Sequence, residues 1–500
     1  MGTSGRRSRM ETVLGIDLGT SRVKTILCAA DGSLVARAEG SYPIAAGSGG
    51  VAEQDPADWI RAIVDCTNRI AEAHEEFWPP IACSVTGQMH GLVLVGRDGS
   101  VLRHAIICSD SRADAELRQI ESVVGHETIL STTGNPGLAV FTGPKLLWVK
   151  NHEPEVHRKI RRALIPKDYV GYAMTGQAVT DPSDASGTML YDCRTGSWDK
   201  CLCAESGAEG GVMPEIREST ETRGQVTSEF AGLSGIPQGT PVVVGGGDLA
   251  TTALGLGVED QDFGFSLGTA GIVFKRVRDV DQEKLGRQFY FRDVMPDSFL
   301  GMGSCPSAGL SVRWFREAVS CATDWGSPCP ALSRNEPDDG TPLMYIPFLA
   351  GTGTPYMNYR ARAGFIGLGP EHTAEHMENA ILEGVCFSLR QSYELLRAGS
   401  ISSGELIVCG GGSSNPRWMK IMASVLARPI RVIRQADAAA LGAAILGGVA
   451  TGWWSAPAEG SARHSRLCDT VEPDVRLTEM YESLYQRYLT VSSWLNELST

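Results

Sequence analysis

Two short stretches of this chain set phosphate-binding chemistry in the same local frame. "VLGIDLGTSRVKTIL" (13–27) and "FGFSLGTAGIVF" (263–274) each carry Leu-Gly-Thr after an apolar run. A Gly-Thr turn between two strands presents backbone N–H groups and a hydroxyl, donors suited to phosphoryl oxygens, and glycine permits close approach. Hairpin geometry alone also accounts for either turn taken singly. The first copy has Asp17 where the second has Ser266, so only one turn brings a carboxylate. Two glycine clusters follow, Gly245-Gly246-Gly247 ahead of Asp248 and Gly410-Gly411-Gly412 ahead of Ser413 and Asn415. Missing side chains where a strand ends leave room for another molecule, or serve a tight turn. Together the turns predict a polyphosphate spanning a cleft between two halves of the chain. The commonest nucleotide signatures are missing: no GxxxxGKS/T follows a strand, and the first turn is GTS in a hairpin, not GxGxxG opening a helix.

The elements that must hold these turns repeat along the chain. Residues 12–17 read as a strand, followed by the Gly-Thr-Ser turn, a strand through Ile26 and Leu27, a turn at Asp31-Gly32 and the strand "LVARAEG". Trp59, Ile63, Cys66 and Ile70 recur at three-to-four-residue spacing, which predicts a helix after Asp55-Pro56. Strands are expected at 81–87, at "GLVLVG" and at 240–248, with helices near 140–150 and after "PKDY" (166–169). From Phe263 the order strand, glycine turn, strand recurs, with a helix at 373–395, a strand at 405–412 and a helix from about Asn415. The parallel argues for two related α/β domains, 11–258 and 259–500, facing one another across a cleft. "SAPAEGSARHS" (455–465) reads as a surface loop.

Bulk properties narrow the function. Five hundred residues exceed a single hydrophobic core, and 42% hydrophobic with 21% charged residues fits a globular protein. A net charge of -13 opposes nucleic acid and anionic membranes as partners, while backbone amides and metal ions can still hold a small anion. Thirteen cysteines without a CxxC pair read as reduced cytoplasmic thiols, not a disulfide framework. Neither Cys201 and Cys203 with Cys321 and Cys329, nor His372 and His376 at helical spacing, makes a metal site. The run 438–454 is short and Ala/Gly-heavy for a bilayer helix and predicts a closely packed buried one. "MGTSGRRSRM" reads as a polar tail and not a signal peptide.

Several separated motifs, in one order, give a resemblance. They are "GIDLGTSRVK", "TGQMHG" (86–91), "GPKLLWVKNHEPE" (143–155), "PKDY", "SDASGTM" (183–189), "GGGD" (245–248), "SLGTAG" (266–271), "EGV" (383–385), "GGSSNPRWMKIMASVL" (411–426) and "AALGAAILG" (439–447). Over roughly residues 11 to 490 the chain resembles the FGGY carbohydrate kinases, part of the larger group with hexokinase, actin and the heat-shock ATPases, and it is most similar to their xylulokinase branch. The resemblance implies two ribonuclease H-like domains of the actin/hexokinase type, ATP and Mg²⁺ as cofactors, and γ-phosphoryl transfer to a hydroxyl of a small sugar. D-xylulose, giving D-xylulose 5-phosphate, is the first expectation. Another ketose or a polyol, or a non-catalytic ATP- and sugar-binding protein, are the alternatives.

By the same resemblance, Gly19, Thr20 and Ser21 sit beside the transferred phosphate, opposed by Gly268 and Thr269. Asp17 helps hold hydrated Mg²⁺ together with Asp248, and Gly410, Gly411, Gly412 and Asn415 take the nucleotide. Only one side needs a carboxylate for the metal, so Ser266 can replace Asp17 in the second turn. Asp248 is the implied catalytic base and faces the acceptor hydroxyl. An ordinary carboxylate, with a pKa near 3.9, cannot form an alkoxide in advance, but it can orient a hydroxyl and accept its proton during transfer. Lys24 either aids the phosphate field or is an exposed solubility residue.

On the acceptor side the resemblance points to Gln88, Met89 and His90, and to Asp110 and Arg112. Three departures reshape it: Cys108-Ser109 where the branch resembles "WNDGR", Leu249 where an Asn is common, and "GTGTP" (351–355) for "GERTP". Cys in place of Trp removes a large rigid wall. The expected partner is a small sugar or polyol, and a homodimer is the assembly left open.

Overall fold

The nearly unbroken apolar run Thr12–Leu18 forms β1, and a hairpin at Gly19–Ser21 leads into β2 (Arg22–Ala29) and then β3 (Leu34–Ser41). The structure, a computed structural model, describes residues 10–319, 342–398, 404–434, 437–464 and 467–499. Asp55 caps α1 (Pro56–Ala73) by accepting from the Ala57 N–H, and Trp59, Ile63, Cys66 and Ile70 are buried as their spacing predicts. The first half continues through β4 (Ala82–Gly87), α2 (Thr142–His152), α3 (Pro166–Thr175), β5 (Thr222–Gln225), β6 (Pro241–Gly247) and α4 (Asp248–Leu256). Its sheet has the order β5-β6-β4-β1-β2-β3, with β1, β4 and β6 parallel and the other pairs antiparallel.

The second half contains β7 (Phe263–Leu267), β8 (Gly271–Val277), β9 (Phe289–Arg292), β10 (Phe299–Cys305), α5 (Gly309–Ala318), α6 (Ala374–Arg397), β11 (Leu406–Cys409), α7 (Pro416–Leu426), β12 (Ile430–Ile433), α8 (Ala438–Ala450), β13 (Cys468–Val471) and α9 (Val475–Glu497). Its sheet runs β9-β10-β8-β7-β11-β12-β13. Without β9, this order and its parallel and antiparallel pairings match the first sheet strand for strand. The repeated turn is therefore one sign of a repeated domain.

The two halves meet through small residues. A side chain on Gly15 would collide with Ala440 O on α8, one on Gly255 with Ala438 O, and one on Gly442 with Thr251 O on α4. Glycine and alanine let α8 lie backbone to backbone on β1 and α4, which accounts for the composition of 438–454. Among the described residues no helix is long and apolar enough to cross a membrane.

Three expectations need correction. Residues 457–463 are a helix, not a surface loop; Pro457, Gly460 and Ser461 are buried, and Ser461 Oγ donates to Leu254 O at 2.7 Å. Small residues there fit the helix against Trp454 and α4. The strand expected to 248 stops at Gly247, because Asp248 already opens α4. The glycines before it are crowded by protein rather than open: Gly245, at φ 76°, sits in a register shift against β4, where a side chain would strike Val85 O. Of the residues set aside as metal ligands, His376 completes the capping box of α6 with Thr373, and Cys321 and Cys329 lie outside the described residues.

Candidate active site

The first turn is held by its own backbone and by two side chains. Gly19 N–H donates to Arg22 O at 3.0 Å, Tyr42 Oη donates to Gly19 O, and Gln54 Nε2 donates to Thr20 O at 2.8 Å. Thr20 Oγ1 lies 3.6 Å from Cys108 Sγ, and Ser21 is exposed at the tip. In the second turn Gly268 N–H donates to Ala270 O, while Gly268 O and Thr269 O accept from Gly309 and Leu310 at the start of α5; both turn residues are exposed. Ser266 instead stands in register with Cys409 at the end of β11. The third turn is tighter. Gly410 has φ 92° and would place a side chain 2.6 Å from Leu267 O, Gly412 packs on Trp418, and Gly411 faces open space. Asn415 Oδ1 accepts from the Arg417 and Trp418 N–H groups, capping α7.

Asp17 and Asp248 emerge at the ends of parallel strands on either side of β4. In register, Asp17 lies beside Thr86, and Gly247, just before Asp248, beside Gly87. Both residues are half-buried. Burial pushes the Asp248 carboxyl up to about 7; the Asp17 charge adds to the rise and the Leu249 N–H opposes it. Burial likewise lifts Asp17 to about 6, with Lys24 across the β1–β2 pair opposing and Asp437 at the start of α8 adding. Burial raises the Cys409 thiol and the Lys24 charge opposes that rise, so Lys24 acts on both halves. Two acids in poorly solvated surroundings, the Asp17 charge adding to the rise of Asp248, fit a divalent cation whose other ligands are water and phosphate oxygens. Among the described residues no group of three or more His, Cys, Asp or Glu could hold a metal unaided.

The residues that the resemblance places on the acceptor side lie on two loops, 88–90 and 107–112, both reached by Lys145. The φ of His90 is 64°, its Nδ1 is 2.7 Å from Gly187 O, and its ring lies between Phe141 and Phe291 at 4.8 and 5.7 Å. A carbonyl only accepts, so Nδ1 carries the hydrogen. Burial lowers the ring pKa to about 4, with Lys145 adding to the fall, and leaves Nε2 as an acceptor at neutral pH. Gln88 is buried; its Nε2 donates to Gln54 Oε1 at 3.2 Å, and its Oε1 has no partner among the described residues. Met89 packs beside Gly247. Asp110 is wholly buried and accepts from Ala52 N–H and from Arg112, whose guanidinium also reaches Glu53 at 2.8 Å and lies 4.8 Å from the Trp148 ring. The departing "GTGTP" segment is internal: Thr352 and Thr354 are buried, and Thr354 Oγ1 accepts from Ser304 N–H.

Comparison with known proteins gives this arrangement a family. Residues 12–255 match the N-terminal domain and residues 264–451 the C-terminal domain of the FGGY family of carbohydrate kinases. The chain belongs to that family. It is 32% identical over 98% of its length to the xylulose kinase of Bacillus subtilis, 98% of which is covered, and 32% identical over 96% to that of Staphylococcus xylosus, covered completely. The crystal structure of xylulose kinase from Rhodospirillum rubrum superposes with a TM-score of 0.87 at 26% identity, covering 98% of this chain and 99% of that one. The protein is an ATP-dependent sugar kinase with the two-domain actin/hexokinase-like fold.

Sequence reasoning on this FGGY kinase missed the residues behind the site. Gln54 joins the first turn to Gln88. Ser183 Oγ accepts from Gly247 N–H at 2.8 Å and donates to Asp181, fixing the residue that precedes Asp248. Lys145 and Lys167 are both fully buried. Three of these, Lys145, Lys167 and Ser183, lie inside matched motifs, and a lysine among apolar residues was the available signal.

The raised Asp248 carboxyl has a thermodynamic consequence. Between the ordinary value and about 7 the folded protein keeps a proton that the unfolded chain releases. The contribution to stability is full below the unfolded value and is lost as pH rises through about 7. Asp248→Asn is therefore expected to raise the Tm of the ligand-free kinase by a few degrees near pH 8, with the gain fading toward pH 4. Calorimetry at both pH values measures it, and an unchanged or lower Tm near pH 8 contradicts the assignment.

Proposed function

We propose that this kinase transfers the γ-phosphoryl group of ATP to a hydroxyl of D-xylulose, giving D-xylulose 5-phosphate, with Asp248 as general base. The observation that carries the reading is the placement of Asp248 at the first turn of α4, across β4 from Asp17 and backed by Ser183. A carboxylate with a pKa near 7 is a stronger base than an ordinary one. It can orient the acceptor hydroxyl and take its proton during transfer, an effect of roughly 10²- to 10⁴-fold. Asp17 and Asp248 would hold Mg²⁺, which when bound supplies charge neutralisation at the phosphoryl oxygens. Gly19–Ser21 and Gly268–Thr269 hold the phosphates from opposite halves, and the open side of Gly411 admits the nucleotide. His90 Nε2 and Gln88 Oε1 accept from sugar hydroxyls. The relatives named as xylulose kinases, matched over nearly their whole length, support the choice of sugar. Free thiols at every described cysteine support a cytoplasmic location.

One feature favours another ketose or a polyol. Cys108 places a small side chain next to Thr20, and Asp110 and Arg112 are satisfied by one another and by protein partners. A site with fewer fixed polar contacts discriminates less between acceptors. ATP consumption measured with xylulose, ribulose, other ketoses, glycerol and longer polyols, with mass detection of product, separates the two. Xylulose is expected to give the highest kcat/KM; a better acceptor replaces the sugar and keeps the mechanism, and no turnover with any acceptor despite ATP binding rejects both.

A further inference from the structure

Lys145 is a buried cation whose ammonium reaches two different loops. It projects from α2, is 0% exposed, and donates from Nζ to His90 O at 3.0 Å and to Ile107 O at 2.8 Å. No carboxylate among the described residues lies within ion-pair distance of it, so the main-chain carbonyls are its fixed partners. One of those carbonyls belongs to the residue whose backbone stands at φ 64°, a left-handed conformation uncommon for non-glycine residues, histidine among the more tolerant. The other belongs to the segment that turns into Cys108 and Asp110. Burial lowers the ammonium to about 8, with nearby Cys108 and Asp110 opposing the fall and Arg112 adding to it, so the group still carries charge at neutral pH.

We infer that Lys145 is a positioning residue for acceptor binding: its ammonium ties the Gln88–His90 loop to the 107–112 loop and holds the His90 ring in its sugar-facing orientation. Gly187 closes the arrangement from the other side. Its carbonyl fixes Nδ1, and a side chain there would stand 2.8 Å from the same nitrogen. With Lys145 behind the backbone, Gly187 on one ring nitrogen and Phe141 and Phe291 on its flanks, Nε2 is the ring atom left for a ligand. A hydrophobic residue of the same length would take the side-chain donor from His90 O and leave Ile107 O with the Asp110 N–H alone, so the tie between the loops would be lost and the left-handed turn would relax toward ordinary backbone.

The inference rests on the sugar-facing reading of His90, and the test separates the two. Lys145→Met is expected to raise the KM for the sugar roughly 10- to 100-fold, the scale of loss that follows from small misplacement, with the KM for ATP changed less than about twofold. Lys145→Arg, which keeps the charge and donors, is expected to recover part of the loss. A merely structural lysine would not separate the sugar KM from the ATP KM in this way. Should Lys145→Met yield no folded protein, Lys145→Gln, which keeps a single donating group, carries the same comparison. A parental sugar KM in either folded variant, or equal changes in both KM values, overturns the inference while His90→Ala still raises the sugar KM. A parental sugar KM in His90→Ala overturns the reading of the site and this inference with it.

Discussion

Asp248→Asn is expected to lower turnover by at least about 100-fold while ATP binding stays close to that of the parent, because the amide keeps the shape and loses the proton acceptor. The variant also removes a carboxylate that burial, with the Asp17 charge adding, already makes unfavourable. The same substitution is thus expected to stabilise the protein and to disable it, and both results together would mark a residue kept for chemistry at a cost to folding. Steady-state kinetics with excess ATP, sugar and Mg²⁺ measures the first effect, and calorimetric titration with a non-hydrolysable ATP analogue checks the second requirement. Turnover within tenfold of the parent removes Asp248 from the base role. Loss of nucleotide binding along with turnover assigns it to holding the metal instead.

What the sequence conveyed about the site depended on whether a residue's reason was local. The turn at Gly19–Ser21 was legible because a short apolar strand, a glycine and a second strand make a hairpin without help from elsewhere. The stripe Trp59, Ile63, Cys66 and Ile70 gave α1 for the same reason. The repeat was legible as motif order, and the matching strand orders of the two sheets bear it out. Glycine, however, marks close contact without naming the contacting group. At Gly245 and Gly412 the neighbour is protein, at Val85 and Trp418, whereas Gly411 is open. No local pattern separates these cases.

The misreading of 455–465 has the same origin. Small and polar residues signal a loop when they face water, but Gly460 and Ser461 are small because Trp454 and α4 lie against them. Long-range partners also explain the residues passed over. Gln54 matters because it meets Thr20, Trp59 and Gln88 in space, and Ser183 because β6 brings Gly247 to it. Such contacts are set by the parallel crossovers of the sheet, which sequence spacing does not encode.

Lys167→Met is expected to destabilise the protein by about 3–5 kcal/mol, the cost of leaving buried carboxylates without their cation. Lys167 Nζ lies 2.7 Å from Asp168, 3.0 Å from Asp181 and 3.4 Å from Asp184, and none of the four side chains is exposed. Burial works against its charge, but the three carboxylates together push its pKa above the ordinary lysine value. Arg223, buried against Asp168 at 3.1 Å, is the second cation. Two cations and three carboxyl groups balance only if one acid keeps its proton. Asp184 is the acid expected to keep it: burial raises it well above the ordinary carboxyl range, Lys167 opposes, Asp181, Asp168 and Asp248 add, and neither oxygen has a hydrogen-bond partner among the described residues. Asp184→Asn imitates the protonated form and is therefore expected to change stability by less than about 1 kcal/mol. The contrast reaches the active site, because Asp181 holds Ser183 and Ser183 holds the N–H before Asp248. Urea unfolding of both variants at neutral pH decides the matter. A Lys167→Met midpoint equal to the parent's shows that the cluster does not depend on this cation, and an Asp184→Asn loss as large as that of Lys167→Met shows that Asp184 is ionised in the folded protein.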